Sequence, residues 1–360
     1  MDHRANNFNF VRFLAAFFVI YGHCQVLDGG SASQIVGMPI HVLGVLVFFA
    51  LSGYLVTESL QRHRSPPAFL AKRALRIFPA LAVVVTLSAY ALGPAMTTLS
   101  LQDYLQSGIP PHYMQGIWLY LSQYLPGVFE DNIYKIAVNG SLWSLPAEFL
   151  CYLIVAASGF FHRRHGAVVL ALALAITVTL NLYLPYYNGP QIIWYSTDPF
   201  QWAAVAVCFF VSSLYCVFRV PLNGVMGLVA LAGLFLSSKA LPLTSYLVVM
   251  WIVLPYIVLA LGSRATPIIV DWGRYGDFSY GMYLYSFPIT QTVIAVNHNK
   301  INAYLLIVCV TVISVGSAYL SWHLVEKWAL KVKPRSDRSI SLGSVRRRLA
   351  ANTRGVNVLQ

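Results

Sequence analysis

Charged residues are scarce in this chain of 360 residues. Asp, Glu, Lys and Arg make up 10% of it, whereas they make up about 25% of a typical soluble domain. No stretch is both long and polar enough to form a soluble catalytic domain, so a soluble globular protein is excluded. There are only five cysteines, and their spacing fits neither a zinc site nor a disulfide framework. We interpret them as small apolar residues inside the protein.

Apolar residues are abundant instead and make up 58% of the chain. They form runs of ~17–22 residues, which is the length of a transmembrane helix and too long for a transmembrane strand. The sequence therefore predicts an all-α integral membrane protein with about ten transmembrane helices. The predicted spans are residues 8–27, 39–60, 75–93, 142–160, 167–184, 200–217, 222–238, 243–262, 278–295 and 303–323. The apolar segment 114–128 is shorter and predicts an interfacial or re-entrant piece.

The positions of the basic residues predict the topology. With the N-terminus in the cytoplasm, 21 of the 24 Lys and Arg residues fall on the inner side of these spans, and Lys135, Lys239 and Lys300 fall outside. This bias predicts that both termini are cytoplasmic. The net charge of +12 is then a topology signal, and we expect no nucleic-acid partner. The first span has no cleavage site after it and is expected to be retained.

The first span, "FNFVRFLAAFFVIYGHCQVL", contains two ionisable residues that are costly in hydrocarbon, Arg12 and His23. Eleven residues at ~100° each put both on one helix face, about 16 Å apart along the axis. Such a face should border the bundle interior or a polar path. His23 suits a general base, because imidazole titrates near neutral pH. The alternatives are an interfacial anchor for Arg12 and a structural hydrogen bond for His23.

Two further stretches leave two interpretations open. In "VFFALSGYLVTESL", Ser52 and Gly53 indicate either close helix packing or close approach of the backbone to a ligand. In "AKRALRIFPAL", Arg73 and Arg76 share a helix face near the cytoplasm. They either set topology or clamp a phosphorylated cytoplasmic ligand, because arginine can bind phosphate through two parallel hydrogen bonds.

Two carboxylates lie in or beside predicted spans. The stretch "NGSLWSLPAEFLCYL" opens the fourth span and contains Glu148, for which we expect His23 or an arginine as partner. A structural cap or ion pair is the alternative for Glu148. Glu326, in "SWHLVEKW", is interpreted as a surface ion pair with the lysine that follows it.

Taken together, these stretches resemble the membrane acyltransferase-three family, bacterial enzymes that O-acylate surface glycans and related acceptors. The resemblance covers about residues 6–330. It rests on the R-x10-H arrangement of Arg12 and His23 and on five stretches in the expected order: "FFALSGYL", "KRALRIFPAL", "NGSLWSLPAEFLCYL", "FSYGMYLYSFPI" and "SWHLVEKW". One departure concerns the aspartate that often lies three residues before the motif arginine. Here that position is Asn9, which can hydrogen-bond Arg12 but cannot neutralise it.

The resemblance implies an acetyl-CoA-dependent O-acyltransferase in the inner (plasma) membrane. The donor would be acyl-CoA, bound from the cytoplasmic side. The acceptor would be a hydroxyl of a cell-surface carbohydrate such as an exopolysaccharide or lipopolysaccharide. His23 would be the base, Arg12 would orient the site, and Arg73 and Arg76 would contact the CoA phosphates. No bound metal or cofactor is expected.

The other candidate site residues come from the stretches quoted above. Glu148 is a catalytic candidate. We also expect nearby side chains to donate hydrogen bonds to the oxyanion that develops during acyl transfer. The candidates for substrate contact there are Ser52, Gly53, Trp143 and Ser144. Residues 1–335 are predicted to form the transmembrane acyltransferase domain. Residues 336–360 are predicted to form a basic, disordered cytoplasmic tail that contacts anionic lipid.

Two other function classes also fit a membrane bundle with polar residues inside. A multi-span transporter or flippase in glycan export needs a polar path, but such proteins tend to contain internal repeats, and none is found here. A scaffold that binds glycan-biosynthesis proteins needs no catalytic residue. In that case replacing His23 should have no functional effect.

Overall fold

A computed structural model describes residues 6–63, 65–187 and 189–332 of the chain. This part is helical apart from one short hairpin of β1 (Gln34–Ile35) and β2 (Met38–Pro39). The helices are α1 (Phe8–Leu27), α2 (Ile40–His63), α3 (Pro66–Leu87), α4 (Gly93–Met96), α5 (Leu101–Gln106), α6 (Ile109–Tyr113), α7 (Ser144–Ser158), α8 (Arg163–Tyr183), α9 (Pro199–Phe218), α10 (Gly224–Ala240), α11 (Leu243–Gly262), α12 (Ser279–Val296), α13 (Ala303–Ser321) and α14 (Lys327–Ala329). The predicted tail, residues 336–360, lies outside the described residues.

The predicted all-α membrane fold is confirmed. A long helix lies at each of the ten predicted spans, and eight of these helices are long and apolar enough to cross a membrane. The other two are α10, which has 17 residues, and α12, much of which is buried against its neighbours. Ten crossings and two cytoplasmic termini stay predictions.

The third predicted span begins earlier than expected. Helix α3 starts at Pro66 rather than near residue 75, because proline fits the first turn of a helix, where its missing N–H has no partner to lose. Through a π-helical turn at Ser88–Leu92 it continues to Met96. Arg73 and Arg76 therefore lie on a continuous helix rather than on a loop before it.

Glycines bring α2 close to its neighbours. A Cβ on Gly44 would lie within 3 Å of the Ala15 carbonyl and the Val19 side chain of α1. A Cβ on Gly53 would overlap the backbone of Phe209 on α9, and Ser213 donates to the Gly53 carbonyl at 3.1 Å. Small residues at such positions let helices pack at short range in membranes. Gly53 thus packs α2 closely against α9, and its assignment to substrate binding stays a prediction.

The segment 114–128 packs against the C-terminal half of α3. It opens with a 3₁₀ turn at Met114–Trp118, and the Trp118 ring lies 6.4 Å from the Phe78 ring of α3. A Cβ on Gly116 would be in van der Waals contact with Val85. Four of the five cysteines are buried, as small apolar residues would be.

Candidate active site

Two cavities of similar size lie inside the bundle. One, of about 580 Å³, is lined by Arg12, Arg73, Arg76 and Glu148, and we call it the arginine cavity. The other, of about 570 Å³, is lined by His23, and we call it the histidine cavity. The two cavities lie toward opposite ends of α1, because Arg12 is in its second turn and His23 is near its end. The shared face of α1 thus borders two cavities.

The arginine cavity is cationic. Its lining includes four basic side chains, those of Arg12, Lys72, Arg73 and Arg76. The carboxylates of Glu148 and Asp277 lie in the same wall. Four positive and two negative charges leave an excess of positive charge, which suits an anionic ligand.

Arg76 is occupied by two carboxylates. Its guanidinium donates to Asp277 at 2.8 Å and to Glu326 at 3.1 Å. Glu326 is 2% exposed and also accepts a hydrogen bond from Ser321 at 3.2 Å. The interpretation of Glu326 as a surface ion pair was wrong, because a π-helical turn at Trp322–Glu326 turns it inward toward α3. The pairing joins α3 to the ends of α12 and α13.

Asp277 was not singled out from the sequence, although it directly precedes the quoted stretch "FSYGMYLYSFPI". Burial alone would raise the pKa of this carboxyl, but Arg76, Arg12 and two hydrogen bonds from Ser279 together hold that pKa below its usual range. Asp277 is therefore the anionic centre of this cluster.

Arg12 contacts both Asn9 and Asp277, each at 3.3 Å from the Nη1 atom. The sequence raised the question of what neutralises Arg12 when its neighbour is Asn9 rather than an aspartate. In the fold, Asp277 supplies that carboxylate from 265 residues away. Arg12 is therefore paired, like Arg76.

Arg73 differs from the two paired arginines. Its Nε atom is buried and has no hydrogen-bond partner within the part of the chain that the structure describes. Its guanidinium lies 5.9 Å from the Phe69 ring. Within the described ranges no carboxylate oxygen lies within 4.0 Å of it. Arg73 is thus the arginine of this cavity whose charge is available to a ligand.

Glu148 has other partners than those expected. Its Oε1 atom accepts hydrogen bonds from Ser52 at 2.7 Å and from Tyr152 at 2.5 Å. The expectation of a direct pair with His23 or an arginine was wrong, because Glu148 lies one helical turn beyond Ser144 on α7 and faces α2. Ser52 and Glu148 do line the same cavity, as the sequence led us to expect of residues at one site.

The histidine cavity contains a second imidazole that sequence reasoning missed. The ring of His41, in the first turn of α2, lies 5.4 Å from the ring of His23. Phe287 packs edge-on against His23 at 5.3 Å. The Nδ1 atoms of both histidines are buried and have no hydrogen-bond partner among the residues described. A second ionisable residue in an apolar span was the signal that could have identified His41.

Two glycines let these rings approach. A Cβ on Gly22 would lie 2.8 Å from both Cβ and Nδ1 of His41. A Cβ on Gly140 would lie 2.9 Å from the Phe287 ring. Since real Cβ contacts are rarely so short, any larger residue would displace the rings. The local sequence thus fixes what surrounds His23.

The two cavities share part of one wall. Val45 and Tyr283 line both of them. The Tyr283 hydroxyl lies 2.6 Å from the Ser144 hydroxyl and also donates to the Ser141 carbonyl. Trp143 lines the histidine cavity and Ser144 the arginine cavity, so consecutive residues face different sides. The two cavities are therefore neighbours, and we call the wall that they share the partition.

Comparison with known proteins places the chain in a family. It matches the model of the acyltransferase-three family, described as an acyltransferase domain, over residues 6–323, and it belongs to that family. An O-acetyl transferase of Shigella phage Sf6 is 29% identical over 347 residues, which are 94% of this chain and 99% of that protein. Nodulation protein 10 of Rhizobium leguminosarum bv. viciae is 28% identical over 353 residues, 91% and 94% of the two chains.

No solved structure matches the chain. The family and the helices together make this protein a multi-pass membrane acyltransferase. The resemblance inferred from the sequence is confirmed. The roles of individual residues stay predictions.

Proposed function

We propose that this protein transfers an acyl group, acetyl in the usual case, from acyl-CoA to a hydroxyl of a cell-surface carbohydrate such as an exopolysaccharide or lipopolysaccharide. The observation that carries the proposal is that the cationic arginine cavity and the histidine cavity lie side by side in the bundle and share part of one wall. The relative named O-acetyl transferase supports acetyl as the group. We place the protein in the inner (plasma) membrane.

The donor would occupy the arginine cavity. CoA is a polyanion, and Arg73 and Lys72 offer positive charge that the described carboxylates do not pair at close range. Arg76 would attract CoA only through long-range electrostatics, because its guanidinium already pairs with Asp277 and Glu326. Arg12 would hold the same cluster from α1. This refines the expectation that Arg73 and Arg76 act as an equal pair.

The acceptor would occupy the histidine cavity, and the bond-making step would take place at the partition. His23 accepts the proton of the acceptor hydroxyl while that oxygen attacks the thioester carbonyl. The tetrahedral oxyanion then collapses, the carbon–sulfur bond breaks, and the CoA thiolate leaves with the proton that His23 returns. The Ser144 hydroxyl at the partition, which lies 2.6 Å from the Tyr283 hydroxyl, would turn to donate to the oxyanion, and Tyr283 would hold Ser144 in position. Glu148 would order Ser52 and Tyr152 on the donor side.

The direct test uses membrane vesicles supplied with radiolabelled acetyl-CoA. Vesicles with the wild-type protein should incorporate label into base-labile ester on glycan, and vesicles with His23→Ala should not. His112→Ala is a matched control, since this exposed histidine stacks on Tyr120 and lines neither cavity in the described structure. Glycan that crosses the membrane without any label would support the transporter alternative instead.

A further inference from the structure

The histidine cavity lacks a carboxylate that could orient the proposed base. None of its lining residues in the described ranges is Asp, Glu, Lys or Arg. A catalytic imidazole usually has its second nitrogen held by a carboxylate or carbonyl, which fixes the tautomer and steadies the imidazolium. The Nδ1 atom of His23 is buried here with no such partner. A buried polar atom that stays unpaired costs free energy, so a partner is expected during turnover.

His41 offers the missing partner. Its Nδ1 atom is also buried and unpaired among the described residues, and its ring centre is 5.4 Å from that of His23. An imidazole nitrogen lies about 1.1 Å from its ring centre, so two nitrogens turned toward each other at this separation would be about 3.2 Å apart, a hydrogen-bond distance. One neutral imidazole donates through N–H and the other accepts with its lone pair. Both unpaired atoms would then be satisfied by one bond.

The backbone around the two rings is built for this contact. Gly22 precedes His23 and lies against His41, with room for a hydrogen atom but not for a methyl group. Phe287 closes the other side of the His23 ring. His41 also lines the cavity itself, so that it reaches the place where the acceptor would bind.

We propose that His41 is the positioning residue of His23: the two imidazoles hydrogen-bond through their Nδ1 atoms. This bond holds the proton of neutral His23 on Nδ1 and leaves its Nε2 lone pair free for the acceptor hydroxyl. When His23 takes the acceptor proton on Nε2, the Nδ1–H bond to His41 becomes charge-assisted and stabilises the imidazolium. The proposal rests on the proposed function, because it assigns a role in the same reaction.

The experiment compares His41→Phe, which keeps a ring but cannot hydrogen-bond, with His41→Gln, whose amide can accept from His23. Initial rates are measured in membrane vesicles over a range of radiolabelled acetyl-CoA concentrations. We expect His41→Phe to lower the maximal rate about 10- to 100-fold, the range for loss of a hydrogen bond to a charged group, with the acetyl-CoA KM unchanged. His41→Gln should restore part of the rate. His112→Phe, outside the cavity, should match the wild type.

A double-mutant comparison separates positioning from packing. If His41 acts through His23, then His41→Phe has no further effect on the residual rate of His23→Ala. A merely structural role would lower the amount of protein or its thermal midpoint in both backgrounds, and His41→Gln would not rescue it. Full activity of His41→Phe alongside an active wild type would overturn the proposal and leave the proposed function standing. An inactive wild type would instead overturn the proposed function, and the role of His41 with it.

Discussion

The hydroxyl oxygens of Tyr283 and Ser144 lie 2.6 Å apart, in the wall between the arginine cavity and the histidine cavity. Tyr283 comes from α12 and Ser144 from the start of α7, so the contact joins two helices at the wall between the two cavities. A thioester in one cavity and a hydroxyl in the other can meet only at such a wall. The mechanism is therefore tested first at the hydroxyl groups of this wall.

Replacing Tyr283 with Phe removes one hydroxyl from the partition and keeps the ring. Because Tyr283 would hold Ser144, the proposed donor to the oxyanion, in position, the maximal rate should fall about 10- to 100-fold with little change in the acetyl-CoA KM. Radiolabel transfer in vesicles measures both. Tyr285→Phe is the matched control, since this residue of the same helix lines neither cavity in the described structure. Equal rates for the two variants would remove Tyr283 from the mechanism.

Substitutions of the two arginines of α3, Arg73 and Arg76, should change different properties of the protein. Arg73→Gln removes an unpaired charge from the arginine cavity, so the acetyl-CoA KM should rise at least about 10-fold while stability is unchanged. Arg76→Gln leaves Asp277 and Glu326 without their cation, so the free energy of unfolding should fall by about 3 kcal/mol. Acetyl-CoA titration and thermal denaturation of the purified protein distinguish these outcomes.

A second substitution tests the assignment of Arg76 further. Glu326→Gln removes one of the two stranded carboxylates and should recover part of the stability lost in Arg76→Gln. If the two losses simply add, the contact between Arg76 and Glu326 carries no coupling. If Arg73→Gln is instead the less stable variant, the roles of the two arginines have been exchanged.

Gly22→Ala should disturb the histidine pair without changing any polar group. The new methyl group would lie 2.8 Å from His41, so α1 and α2 must separate or the His41 ring must move. We expect a loss of about 1–3 kcal/mol in stability, and a loss of at least about 10-fold in transfer rate. Gly233→Ala, on α10, is the control, because a Cβ there meets nothing within 4 Å. Wild-type rates in both variants would show that the close approach at Gly22 has no role in catalysis.

The low pKa of Asp277 sets the pH range of its contribution to stability. Burial opposes ionisation, but Arg76 and Arg12 keep the pKa below that of an ordinary aspartate. The stabilisation is therefore complete above the ordinary value of about 3.9 and is lost as the pH falls through the lowered value. The stability difference between wild type and Asp277→Asn should shrink as the pH falls below about 4. Tryptophan fluorescence during denaturation measures it, and a difference that shrinks near pH 7 would contradict the assignment.

Much of the fold was accessible from the sequence, because apolar runs identify helices in a membrane protein. The positions of His23 and Arg12 in cavities also followed from the cost of placing ionisable groups in hydrocarbon. That rule acts on one helix at a time, so it indicated which side chains face inward. Ser52 and Glu148 were predicted only as candidates for one site, and they do line the same cavity.

The pairings depend on contacts between distant segments and could not be predicted. Asp277 reaches Arg12 across 265 positions, and Glu326 reaches Arg76 across 250. A local pattern placed Glu326 at the surface because it cannot represent the π-helical turn that turns the side chain inward. The sequence around Gly53 likewise favoured ligand contact and helix packing equally. Only the structure shows that α9 packs against Gly53.

The measurement that tests the central claim most directly is the ester-linked acetyl content of cell-surface glycans. Three cell lines are compared: one with the wild-type protein, one with His23→Ala at matched expression, and one with neither. The account predicts acetyl ester on the glycans of the first line and its loss from the other two. The same acetyl content in all three lines, or full acetylation with His23→Ala, would contradict transfer through His23.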